Sequence, residues 1–433
     1  MTIINGGSMN ESISITNFLV IKKADVKVKK INVIIGPQAN GKSVIAKLLY
    51  LFKGMSGNFI SGIRGNKSKR ELDSEILSDF ENRFPRYSWD GSDFSIDYIL
   101  DEIQISISGK KNARGKTLLK INYSNSLNNL FNSKKKLYIK KLNEANEEQH
   151  KTSRRRSNIS QHVFFENILE PLNSGEYNYF FSASVFIPAS RSFFANLQKN
   201  IFTFLASNLD IDPFLKEFGS LYENSKRWYK ESFLTRDYKD LLNKLYKSLE
   251  AVVDGDYEYH DEQDWILSKG KRINLVNASS GQQESLPMLL VLCVLPMIRS
   301  DETGGMFFIE EPEAHLFPTS QGYIVSILSL LYAELGTNFF LTSHSPYILS
   351  ALNNFIMAGD AIDSGKLTEN EFVEMNGSGL PIKFEDVAAY TIVNGVVSSI
   401  TDDEYRMVGG DMLDGISEHF EDVMNKILVC GEK

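Results

Sequence analysis

The stretch Gly36-Pro37-Gln38-Ala39-Asn40-Gly41-Lys42-Ser43 constrains this chain more than any other. It fits G-x-x-x-x-G-K-[ST], and it lies where a phosphate-binding loop has to lie, after an apolar run and before an amphipathic one. Ile31 to Ile35 reads as a buried strand, while Val44, Ile45, Leu48, Leu49 and Phe52 share one face of a helix. In such a loop the backbone N–H groups converge on phosphate oxygens, and the helix N-terminus adds partial positive charge. Lys42 is therefore expected at the β- and γ-phosphates of ATP, Ser43 at Mg²⁺, and Val44 in the first helical turn beside them.

With 433 residues, 42% hydrophobic and 24% charged, the chain has ample material for a globular core. A formal charge of -8 argues against a surface that binds nucleic acid throughout, so any such contact needs a local basic region. Cys293 and Cys430 are too few and too far apart for a metal or disulfide framework, which suits a reducing cytoplasm. The longest apolar run, Leu286 to Ile298, contains Pro287 and Pro296 and is short for a bilayer; it reads as a core helix, with no membrane partner expected.

In chain order, Met1 to Ser12 is expected to be poorly ordered, and Ile13 to Val20 and Ala24 to Val28 read as strands. Gly54 to Gly65 reads as a glycine-rich loop and Lys67 to Arg86 as a helix. Ile103, Ile105 and Ile107, then Leu119, Ile121 and Tyr123, alternate with polar residues across a glycine-bounded turn, the pattern of a hairpin. Ser133 to Ser157 is a run of lysines, glutamates and arginines. From Lys134 to Arg156 it is either a solvated insertion, a DNA or RNA phosphate contact, or a docking site for an acidic partner. Ser184 to Pro188 reads as another buried strand; Arg191 behind it could face a nucleotide or tie down the next loop. Two aromatic stripes, Phe193 to Leu205 and Tyr238 to Leu249, predict a helical arm. The expected domains are an N-terminal lobe over 1–132, the basic insertion over 133–160, a strand and helical arm over 161–254, and a C-terminal lobe over 255–433 with a terminal helix over Met412 to Leu428.

The remaining chemistry lies between Asn277 and Pro346. Ser279-Ser280-Gly281-Gln282 runs directly into the helix from Leu286, and offers either a second phosphate-binding helix terminus or an ordinary serine cap. Met306 to Ile309 is an apolar strand ending in Glu310 and Glu311. At the carboxyl edge of a parallel sheet, Glu310 would support Mg²⁺ and Glu311 would position or deprotonate the attacking water. Asn338 to Leu341 is a further strand, and His344 behind it would reach the same edge.

The order of P-loop, serine-glycine-glutamine signature, glutamate-rich Walker B and strand-end histidine resembles the ABC-type ATPase heads of the SMC and OLD group. Ile309 to Leu316 and Leu341 to Pro346 carry that resemblance most closely. It implies an α/β head with a mixed sheet flanked by helices, and a homodimer or higher homo-oligomer closed around ATP. In that dimer Gly36 to Ser43 of one copy would face Ser279 to Gln282 of the other. Glu310 stands where many such heads have aspartate, which would slow hydrolysis, and Ser280 replaces a signature glycine. Gln104 is the one Q-loop candidate. Residues 351–433 are too few for the Toprim nuclease of OLD proteins, so an effector is expected on another protein, encoded nearby. That organisation resembles the stand-alone ATPases of two-component antiphage systems of the Septu and PARIS types. The alternative is an SMC-like DNA-holding or repair clamp.

Overall fold

The computed structural model describes residues 10–152, 158–197, 211–299 and 305–409. One sheet of eleven strands runs through it, in the order β6-β5-β4-β1-β2-β14-β13-β3-β12-β11-β7. Its N-terminal members are β1 (Glu11–Phe18), β2 (Ile21–Val28), β3 (Ile31–Ile35), β4 (Phe94–Leu100), β5 (Ile103–Lys111) and β6 (Thr117–Tyr123). The others are β7 (Val185–Ile187), β11 (Met306–Glu310), β12 (Asn338–Ser343), β13 (Val387–Val393) and β14 (Val396–Ser399). A three-stranded antiparallel sheet, β8 (Asp256–His260), β9 (Gln263–Ser268) and β10 (Lys271–Asn274), stands apart.

The two halves of the large sheet differ in kind. β1, β2, β4, β5 and β6 form antiparallel ladders, whereas β13, β3, β12, β11 and β7 are parallel neighbours. Parallel strands need both faces covered, and β3, β11 and β12 are correspondingly almost continuous apolar runs. Ile31, Val33, Ile35, Phe307, Ile309, Phe339 and Leu341 enter one core; Ile34, Phe308 and Phe340, alternating with them, enter the other.

The helix α1 (Lys42–Arg64) covers the second core with α2 (Lys69–Arg83) and α3 (Asn125–Thr152). The first core lies under α4 (Pro213–Trp228), α5 (Lys239–Val253), α6 (Ser280–Leu292), α7 (Pro318–Leu335) and α8 (Pro346–Asp363).

Several expectations are corrected. Glu11 and Ser12 belong to β1 rather than to a loose terminus. The glycine-rich stretch from Gly54 is helix to Arg64, because Met55, Phe59 and Ile63 continue the buried face set up by Leu48 and Phe52. That burial outweighs the modest helix penalty of each glycine. Gln104 lies in β5, six strand positions from β3, or roughly 29 Å at normal strand spacing, so it cannot serve a nucleotide at the loop after β3. The basic segment is the later part of α3, whose Leu127, Phe131 and Tyr138 are buried while Lys136 and Lys140 are exposed. Arg154, Arg155 and Arg156, the later part of the Phe193 to Leu205 stripe, and the helix expected over Met412 to Leu428 lie outside the described residues. The described part of the first stripe enters the first core through Phe194 and the second, on α5, through Leu242 and Leu245, while α4, outside both stripes, adds Phe218 and Tyr222. Among the described residues the one stretch long and apolar enough to cross a membrane, 280–298, is 78% buried within the protein.

Candidate nucleotide site

β3, β12 and β11 are adjacent, parallel and in step: Ile35 pairs with Ser343, and Thr342 with Glu310. Their carboxyl ends are therefore level, and the segments that follow them meet. This register brings the P-loop, His344 and the paired glutamates together across some three hundred residues of chain.

The loop after β3 has the backbone its glycines permit. Gly36 has φ +154°, and a Cβ there would lie 2.5 Å from the Ile392 carbonyl oxygen; Gly41, the residue before α1, has φ +101°. Only glycine fits both demands without strain. No side chain caps α1, and its first turn has no acidic residue, so the N–H groups at Lys42, Ser43 and Val44 face the loop with the helix dipole behind them. Pro37, Gln38 and Ala39 form its exposed rim, with Asn40 half-buried.

Lys42 is 5% exposed. Its Nζ donates to the carbonyls of Gly36 (2.6 Å) and Pro37 (2.8 Å) and approaches His344 Nδ1 at 3.2 Å. Burial lowers its pKa, and the charges of Glu311 and Glu313 oppose that shift. The other ring nitrogen, Nε2 of His344, lies 3.2 Å from Glu311 Oε1. An ammonium has no acceptor, so Nδ1 accepts and the ring proton sits on Nε2, donated to Glu311. Lys42, His344 and Glu311 thus form one hydrogen-bonded chain.

Glu311 itself has φ +43°, unusual for a residue with a side chain, and its N–H donates to the Thr342 carbonyl at 2.9 Å. Glu310 is 5% exposed; Oε2 accepts from the Ala189 N–H at 3.2 Å, while Oε1 is buried with no partner among the described residues. An orphaned carboxylate oxygen at the edge of a phosphate loop fits a hard cation. Mg²⁺ normally takes one or two protein ligands and completes its shell with phosphate and water, a demand that Ser43 and Glu310 could meet. When bound, the cation would neutralise charge on the β- and γ-phosphates.

Ser279 accepts from the Gln282 N–H while the Gln282 side chain returns to the Ser279 N–H, a complete capping box at the start of α6. Ser279 and Ser280 are exposed, and Gly281 packs so closely that a Cβ would come 2.8 Å from the His315 carbonyl oxygen. The structure therefore brings the signature segment to the loop after β11. No hydrogen bond among the described residues joins it to the P-loop of the same chain.

Two residues carry more of this site than the sequence reading assigned. Glu313 accepts from Ser343 Oγ (2.8 Å) and the His344 N–H (2.7 Å), fixing the histidine's backbone. Arg191, for which two roles were open, is fully buried and ties down backbone instead of facing the loop, and its partner is Glu284 of α6. Glu284 could have been found as a lone carboxylate heading an apolar helix, and Arg191 as the lone cation behind an apolar strand.

No curated protein matches the chain. Among solved structures it is similar to the SMC head domain from Thermotoga maritima (10% identity over 90% of this chain and 98% of that one, TM-score 0.35). Others are a Smc head with an extended coiled coil, bound to the C-terminal domain of ScpA derived from Pyrococcus furiosus (10%, 95% and 100%, 0.36), and the recombination mediator RecF with ATP (14%, 90% and 99%, 0.29). Residues 9–349 match the AAA ATPase domain family, a span that takes in the P-loop, the glutamates after β11 and His344. Over that span sequence and geometry agree on one kind of chemistry: the chain belongs to the AAA ATPase domain family and is an ATPase.

Proposed function

We propose that this ATPase is a switch: two copies close head to head around ATP, hydrolysis opens them, and the cycle controls a partner effector, a nuclease or toxin, in antiphage defence in the cytoplasm. The observation that carries the catalytic part is the unbroken Lys42–His344–Glu311 chain on three in-register strands. Lys42 would hold the β- and γ-phosphate oxygens, and Ser43 and Glu310 the Mg²⁺ ion. Glu311 would orient the attacking water and accept its proton, with His344 keeping the carboxylate aimed. Ser279 to Gln282, whose two serines are exposed and which make no hydrogen bond to the chain's own P-loop among the described residues, would meet the nucleotide of a second copy. The effector and defence roles are supported by the OLD-like motifs Ile309 to Leu316 and Leu341 to Pro346, an argument from likeness alone.

Glu311→Gln keeps the shape and the contact with His344 while removing the base. It should bind ATP and remain an ATP-loaded dimer by size exclusion with light scattering, whereas the parent returns to its ATP-free state as phosphate is released. Hydrolysis by Glu311→Gln at the parental rate would refute the assignment. A second reading, a DNA-holding clamp, is favoured by the exposed Lys136 and Lys140 on α3.

A further inference from the structure

We propose that Arg191 and Glu284 are a positioning pair that ties the catalytic carboxylate Glu311 to the signature helix α6; this rests on Glu311 acting on the attacking water.

Arg191 is 0% exposed, yet its guanidinium is not held in a two-pronged carboxylate fork. Nε donates to the Glu284 carbonyl (2.9 Å), Nη1 to the carbonyls of Pro188 (2.9 Å) and Glu310 (2.7 Å), and Nη2 to the carbonyl of Glu311 (2.9 Å). The Glu284 carboxylate instead accepts the N–H groups of Arg191 (2.9 Å) and Ser192 (2.8 Å), with Arg191 Nε 3.5 Å from Oε1. One cation and one anion thus clamp three backbones: the segment after β7, the end of β11 and the beginning of α6.

The end of β11 is where such a clamp has most effect. Glu311 is left-handed, a conformation that persists in a residue with a side chain only when its surroundings enforce it. Three hydrogen bonds hold it: its N–H to the Thr342 carbonyl, and its own carbonyl accepting from the Ala314 N–H within the turn and from Arg191, the one of the three that links it to α6. Glu284 lies two residues beyond Gln282, on the same stiff helix as the capping box. A displacement of Ser279 to Gln282, such as a second copy's nucleotide would impose, moves Glu284 with it and reaches Glu311 through Arg191.

The test uses the full chain carrying Glu284→Gln, Arg191→Lys, both together, or Glu311→Gln. Affinity for a fluorescent ATP analogue, KM, kcat and melting temperature are measured for each. The pair predicts a split: affinity and KM within about threefold of the parent, and kcat lower by about ten- to a hundredfold, the scale for displacing a catalytic group by about an ångström. The double variant should be no slower than the worse single one, because both changes cut the same linkage. Among the described residues no hydrogen bond joins Glu284 to the P-loop or directly to Glu311, so a fall in kcat there at constant KM is not what a packing role would give. If Arg191→Lys does not fold, the isosteric Glu284→Gln decides alone. Parental kcat in the folded variants while Glu311→Gln is inactive overturns the pair. Parental turnover by Glu311→Gln overturns the reading beneath it.

Discussion

His344 offers a way to separate the two ends of the chain that passes through it. Its Nδ1 receives Lys42 and its Nε2 proton goes to Glu311, each at 3.2 Å. Asparagine at 344 places an amide atom near the Nδ1 position and nothing at Nε2, so it keeps the lysine and releases the carboxylate. Glutamine reaches the Nε2 position and does the reverse. Lys42 would hardly notice the loss, because Gly36 and Pro37 still accept from it. Glu311 has no second side-chain contact of that kind among the described residues. A hydrogen bond to a charged group is worth about 1.5–3 kcal/mol. The side chains of His344 and Glu311 are 27% and 39% exposed, so water weakens this one and the lower end applies. About 1.5 kcal/mol corresponds to roughly tenfold in rate. Phosphate release at saturating ATP should therefore fall about tenfold in His344→Asn and stay within about threefold of the parent in His344→Gln, with ATP affinity measured beside it. Equal rates for the two variants would show that the contact with Glu311 does not matter to turnover.

Glu313 predicts a pH effect. Burial raises its pKa above the ordinary 4.5, against the lowering by the His344 N–H and Ser343, and its Oε2 has no partner among the described residues. As pH rises past 4.5 the unfolded chain ionises this group before the folded one does, so its contribution to stability falls through that window and stays low above it. Glu313→Gln, which keeps both donors to Oε1, should gain in melting temperature relative to the parent between pH 4 and pH 7 by scanning fluorimetry; a gap that does not change with pH would contradict this. For the clamp reading, if Lys134, Lys136, Lys140 and Lys141 each neutralise one phosphate, duplex DNA affinity should drop about a hundredfold between roughly 50 and 200 mM salt. Charge removal at those four lysines should flatten the slope, and no binding at low salt would dispose of the clamp.

What could be read from the sequence was what is local or periodic. The strand-loop-helix around Lys42 needs only its own residues, and the buried strands before Glu310 and His344 announce themselves as apolar runs. Once β3, β11 and β12 are granted to be parallel neighbours, their level carboxyl ends follow, and with them the meeting of Lys42, His344 and Glu311. The reading went astray where composition and packing disagree. Gly54, Gly57 and Gly62 resemble a loop when counted as glycines, yet Leu48, Phe52, Met55, Phe59 and Ile63 between them hold the helix to the sheet. It also could not assign Gln104, because strand order decides proximity here and a hairpin pattern carries no information about which end of an eleven-stranded sheet it joins.

The same limit explains why Arg191 stayed ambiguous. A lone cation behind a buried strand has two sensible destinations, solvent-facing ligand or buried backbone, and the choice depends on a carboxylate ninety-three residues away. Glu284 in turn reads as an ordinary polar residue near a helix start until its burial is known. Each charge alone would be costly in these cores, so once one is seen to be buried the other has to be sought. The catalytic edge can be inferred residue by residue, but the linkage that holds Glu311 in its left-handed turn is a property of three backbones meeting, and only a fold shows it.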